Sequence, residues 1–158
     1  MTSNGEGNPS TDSSSSGQEA YCTFRVSELL FGVAVRQVQE VLRSQRTTRV
    51  PLAPFSVHGL MNLRGQIVSA IDLRKQLGLD SLTKEQSDAM NVVIRTEDGP
   101  TSLMVDEIGD VIAVQSDRFE TPPETLQGPP RELIRGAFKL ENELLLILDT
   151  SCVIKFAA

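Results

Sequence analysis

The sequence predicts an all-β fold with a few short helices, laid out as two related β units in tandem, and three observations carry that reading. The first is a hairpin: Gly59 to Leu73 read as two strands folded back on Arg64-Gly65, because a glycine supplies the positive φ that a tight turn needs. The second is a repeat. Gly59 laid on Gly136 places Leu63 on Leu140, Ile67 on Leu144, Val68 on Leu145, Ile71 on Leu148 and Asp72 on Asp149 without a gap. The third is a companion match of Cys22–Leu42 onto Val92–Ile112, pairing Phe24 with Ile94, Arg25 with Arg95, Val35 with Val105, Val38 with Ile108 and Glu40 with Asp110. Two ungapped matches in the same order, offset from each other by a seven-residue insertion, indicate an internal duplication.

Taken in order, residues 1–18 hold six Ser and no Lys or Arg, with almost nothing apolar to bury, and are expected to be a disordered tail. The folded domain is expected over 19–158, with a first β subdomain over about 20–80, a polar connector over 81–89 and a second β subdomain over about 90–158. Cys22, Phe24 and Val26 alternate as a strand, Ser27-Glu28 turns the chain, and Leu29–Val33 return it. Val35, Val38, Val41 and Leu42 fall at helical spacing and predict a short helix whose polar side carries Arg36, Gln37 and Glu40. Pro54–Val57 predict a turn leading into the hairpin. Within it, alternation puts Met61 and Leu63 on a core face and Leu60, Asn62 and Arg64 on a contact face. Asp72 should cap a short helix that ends at Gly78. In the second unit Glu97-Asp98-Gly99 mark a hairpin, and Pro122, Pro123, Pro129 and Pro130 an irregular surface loop. At its second tip Glu141-Asn142 replace Arg64-Gly65, with Asn142 expected to take over the left-handed position.

Composition limits the function. The chain has 158 residues, of which 39% are hydrophobic, enough to fold without metal or disulfide. A net charge of −6, no Trp and a single Tyr argue against nucleic acid, which would need cationic surface and stacking rings. Cys22 and Cys152 lie far apart with no histidine near, so they read as reduced thiols rather than ligands. His58, the one histidine, has no nucleophile or carboxylate beside it in sequence and reads as structural. Asp106, Glu107 and Asp110 form the densest acidic group and, by the duplication, sit on the exposed side of a helical turn. With no catalytic constellation, no cofactor motif and no apolar run long enough to span a bilayer, a cytosolic binding protein is expected rather than an enzyme.

Val38-Gln39-Glu40-Val41, Gly59-Leu60-Met61-Asn62-Leu63-Arg64-Gly65-Gln66-Ile67-Val68, Ile71-Asp72-Leu73-Arg74, Val105-Asp106 and Asp110-Val111 together resemble the CheW family of chemotaxis coupling proteins. The resemblance covers nearly the whole chain after the tail. It implies two five-stranded β-barrel subdomains without catalysis or cofactor. It also implies a cytoplasmic adaptor between chemoreceptor tips and the regulatory domain of a CheA-type histidine kinase, with receptor helices in the groove between the barrels. Carried over to matching positions, it assigns Val38, Glu40, Asn62, Arg64 and Gly65 to partner contacts. Arg64, with no carboxylate in its own loop, is expected to offer its donors to a partner. The alternatives are a coupling module of a pilus or other non-flagellar array or a detached kinase regulatory domain. Outside the family they are a small-barrel nucleic-acid binder or a carboxylate-based hydrolase.

Overall fold

Alternating and continuous apolar runs become strands in a computed structural model that describes residues 17–43, 45–79, 89–124 and 128–156. Among the described residues ten strands form: β1 Gln18–Val26, β2 Leu29–Ala34, β3 Val38–Leu42, β4 Val57–Leu63, β5 Gln66–Asp72, β6 Met90–Thr96, β7 Gly99–Val105, β8 Glu107–Gln115, β9 Ile134–Lys139 and β10 Leu144–Leu148. They make two five-stranded sheets, β8-β1-β2-β10-β9 (sheet A) and β3-β6-β7-β5-β4 (sheet B). Neither ladder closes on itself, so the units are curled open sheets rather than hydrogen-bonded barrels. Most of the expected tail and connector, residues 1–16 and 80–88, lie outside the described residues, as do 125–127 of the Pro-rich loop. Gln18 already belongs to β1.

The sheets do not divide the chain at the connector, which corrects the expected boundaries of the two subdomains. β1 and β2 join β8, β9 and β10 from the other half, while β6 and β7 join β3, β4 and β5. The duplication is nonetheless visible in the strand order, because replacing each strand of sheet A by its repeat partner gives the order of sheet B. The registers agree as well: Phe24 faces Ile108 as Ile94 faces Val38, and Leu146 faces Phe31 as Ser69 faces Thr101. The chain crosses between sheets twice, from β2 to β3 and from β7 to β8, and each repeat thereby lends its first hairpin to the other repeat's sheet.

Packing follows from this exchange. Phe24, Val26, Phe31 and Val33 from sheet A meet Ile71, Val92, Ile94, Leu103 and Val105 from sheet B in one shared cluster. Each sheet also wraps a smaller core of its own: Tyr21, Leu30, Phe138, Leu145 and Ile147 in sheet A, and Met61, Leu63, Val68, Val93 and Met104 in sheet B. The unbroken run in β10 is explained by burial on both faces, since Leu145 and Ile147 turn to one cluster while Leu146 and Leu148 turn to the other.

Two glycines mark equivalent close approaches. Thr48 pairs with Leu60 along the free edge of β4, and Glu120 pairs with Ala137 along that of β9. A Cβ on Gly59 would lie 2.6 Å from the Thr48 carbonyl oxygen, and one on Gly136 would lie 2.5 Å from that of Glu120. Only glycine admits the backbone there.

Candidate functional site

The β4–β5 tip is the tight two-residue turn that its sequence predicts. Leu63 pairs with Gln66, leaving Arg64 at φ 55 and Gly65 at φ 88, the doubly left-handed geometry of a type I′ hairpin. Glycine takes its place freely; Arg64 takes one that suits few side chains. Asn62 braces the turn, its Oδ1 accepting from the Gly65 N–H at 2.8 Å. Met61 and Leu63 are buried, whereas Asn62, Arg64 and Gly65 are exposed.

Arg64 does not stand free as the sequence suggested. Its Nη1 and Nη2 donate to Glu40 Oε2 and Oε1 at 2.6 and 2.7 Å, a forked pair with a carboxylate supplied by β3. β3 and β4 are the two edges of sheet B, so this pair clasps the sheet where its ladder stays open. The Glu40 side chain is 17% exposed and that of Arg64 is 72% exposed, leaving one flank of the guanidinium to water. The hydrogen bond from Arg64 holds the Glu40 carboxyl below its ordinary pKa, and the same bond raises that of Arg64.

Val38 stands apart from this pair. It lies two residues before Glu40, packs against the shared cluster, and its carbonyl accepts from Arg95 Nη1 at 3.0 Å. The expected helix through it is absent: a single 3-10 turn, Val35–Gln37, precedes an extended β3. The spacing misled because the inward position on the strand is held by Glu40, half-buried against Arg64, while Val41 faces out. The same correction applies to Glu107 and Asp110, which lie on strand β8.

Among the acidic trio, Asp106 has a structural task that sequence reasoning missed. Its carboxylate accepts from Arg74 Nη2 at 3.1 Å and from the Ser27 N–H at 2.6 Å, and its own N–H donates to the Arg25 carbonyl at 2.9 Å. It therefore pins the second crossover to the β1–β2 turn and to the helix Leu73–Gln76. The Ile-Asp-Leu-Arg and Val-Asp motifs were visible; their meeting depends on topology. Beside the junction, Gln76 Nε2 donates to the Val153 carbonyl at 2.7 Å, joining two positions related by the duplication.

At the other tip the frame recurs with different chemistry. The Leu140 N–H donates to the Glu143 carbonyl at 2.8 Å, closing a two-residue loop at Glu141-Asn142. Asn142 does not take the left-handed position: among the described residues other than glycine, only Ser27, Leu52 and Arg64 have positive φ. Asp110 and Glu141 stand where Glu40 and Arg64 stand in sheet B, so no clasp of opposite charges is available. Among the described residues no group of His, Cys, Asp and Glu is arranged to hold a metal, and Cys22 and Cys152 are free thiols.

Comparison with known proteins gives one consistent picture. The family model described as "CheW-like domain" matches residues 20–157. The chain is 32% identical over 130 residues to the chemotaxis protein CheW of Treponema pallidum, covering 80% of this chain and 76% of that one. It is 33% identical over 136 residues to the chemotaxis protein CheW of Bacillus subtilis, covering 86% of each. Among solved structures, the scaffolding protein TtCheW from Thermoanaerobacter tengcongensis superposes with a TM-score of 0.75 at 26% identity, over 83% of this chain and 88% of that one.

Proposed function

This chain belongs to the family of CheW-like domains, and we propose that it couples the cytoplasmic tips of chemoreceptors to the regulatory domain of a CheA-type histidine kinase. It is a non-enzymatic adaptor of chemotaxis signalling. Its place is the cytoplasm, beneath the receptors; among the described residues no helix is long and apolar enough to cross a membrane.

The observation that carries the reading is the Glu40–Arg64 clasp. Of the five N–H donors of a guanidinium, two go to Glu40, which holds the group in place while most of the side chain stays exposed. A preorganised arginine loses less freedom when a partner carboxylate or carbonyl docks on it. Asn62 and Gly65 fix the turn beneath it, and Glu40 aims it.

A charge exchange tests this directly. Arg64→Glu places two carboxylates together and should weaken binding of the receptor tip or of the kinase regulatory domain by at least about tenfold, with a native far-ultraviolet spectrum. The double variant Glu40→Arg with Arg64→Glu restores the clasp but moves the guanidinium to the other strand, so binding should stay weak. Full recovery in the double variant would reduce Arg64 to an internal brace and remove it from the contact surface.

A further inference from the structure

The segment before β4 carries two successive turns, with the Ala53 N–H donating to the Val50 carbonyl at 3.2 Å and the Val57 N–H to the Pro54 carbonyl at 3.0 Å. The first has Pro51 in its second position and Leu52 in its third at φ 65, the pattern of a type II turn, whose third position suits glycine or asparagine. Leucine is poorly suited to that backbone. It also gains nothing by packing. Leu52 is 104% exposed and Phe55 is 77% exposed, and neither joins any of the hydrophobic clusters. Two large apolar side chains are thus held largely in water, one of them on strained backbone, and hydrophobic burial accounts for neither.

Their surroundings are cationic in a chain of net charge −6. The Lys75 ammonium lies 5.2 Å from the centre of the Phe55 ring. Arg49 and Lys75 both bear on His58, whose imidazole is kept toward its neutral form first by burial and then by these two charges, against the pull of Asp72. Neither cation has an ion-pair partner among the described residues. The backbone is not open to strand addition, since Thr48 and Leu60 exchange hydrogen bonds at 2.7 and 2.8 Å along this edge of β4. Recognition there falls to side chains, and so to a partner surface that is already folded. Among the described residues the equivalent stretch of the other half shows no such pair: it runs through Pro122, Pro123 and Glu124, and Phe119 packs edge-on against Phe138 at 5.3 Å.

We propose that Leu52, Phe55, Arg49 and Lys75 form a docking surface, separate from the Glu40–Arg64 clasp, for an acidic amphipathic helix of the receptor bundle. The apolar pair fills the helix's hydrophobic stripe and the two cations meet its flanking carboxylates. The proposal rests on the adaptor reading, which supplies a helical partner.

The full-length protein and its Leu52→Asn and Phe55→Ser variants are titrated calorimetrically with a chemoreceptor tip fragment and, separately, with the kinase regulatory domain. Leu52→Asn should raise the melting temperature by about 2 °C or more, because asparagine tolerates the turn. Both variants should bind the receptor fragment at least about fivefold more weakly and the kinase domain within about twofold of wild type, and wild-type receptor affinity should fall as salt rises. A melting temperature lowered by Leu52→Asn would make Leu52 a folding residue and overturn the proposal. So would receptor affinity unchanged in both variants, or a loss confined to the kinase domain. Binding to phosphatidylglycerol vesicles that disappears in the variants while receptor affinity persists would name a membrane as occupant instead. If Arg64→Glu weakens binding and the Leu52 and Phe55 variants do not, the adaptor reading stands and this surface falls; if wild type binds neither partner, both fall.

Discussion

The two hairpin tips, Arg64-Gly65 on sheet B and Glu141-Asn142 on sheet A, occupy the same place in two sheets that share strand order, register and bulges. On sheet B a guanidinium and a carboxylate clasp the open edges. On sheet A both positions are acidic, and the nearest ion pair is a different one, Arg25 with Glu143 at 2.9 Å. Duplication therefore fixed the frame, and divergence of a few exposed side chains made its ends chemically unlike. The proposed coupling of a receptor to a kinase calls for such asymmetry, because identical ends would compete for one partner.

The largest expected effect comes from testing whether the frames are equivalent. Gly59→Ala and Gly136→Ala each drive a methyl group into a backbone carbonyl, and each should cost about 1–3 kcal/mol in denaturant unfolding. Gly136→Ala should cost at least as much, since its Cβ would also run into the Phe119 ring. A negligible loss at only one of them would break the equivalence.

The two crossovers offer a sharper contrast. Asp106→Asn weakens the bonds to Arg74 and Ser27 at the second crossover and should cost about 1–2 kcal/mol, in line with a part-buried charged hydrogen bond. At the first crossover Arg36 pairs with Glu19 in an exposed setting, and Arg36→Ala should stay within about 0.5 kcal/mol. Similar losses at both would show that the crossovers are braced alike.

The smallest effect is in titration. Glu40 in the fold has a pKa below its ordinary value, so its contribution to stability is present above the unfolded-state pKa and is lost as pH falls through the folded one. The Glu40 carboxyl signal in an NMR titration should therefore have a midpoint below that of an ordinary glutamate, and Arg64→Ala should return it upward. A midpoint indifferent to Arg64 would mean that the clasp does not form in solution.

Much of the fold was legible because the duplication keeps residue classes in step: the hairpins at Ser27-Glu28 and Arg64-Gly65 and the Asp72 cap all follow from local rules. The Asp72 carboxylate accepts from the Lys75 N–H at 3.2 Å, and Asp149 repeats the bond to Cys152 at 3.1 Å. The exchange of hairpins between sheets was not legible. Alternation says which face a residue turns to the core, not which of two similar sheets its strand joins. β3 was mistaken for helix because its inward polar residue is matched by an arginine more than twenty positions away, a partnership that local spacing cannot register. The clasp itself was hidden for the same reason, though both of its members had been singled out.

The most direct test of the account compares the two tips on the same partners, titrating wild type, Arg64→Ala and Glu141→Ala calorimetrically with the kinase regulatory domain and with the receptor tip fragment. Arg64→Ala should lose about tenfold or more in affinity for at least one partner, and Glu141→Ala should bind that partner within about twofold of wild type. Equal losses in both variants against the same partner, or no loss in either, would contradict it.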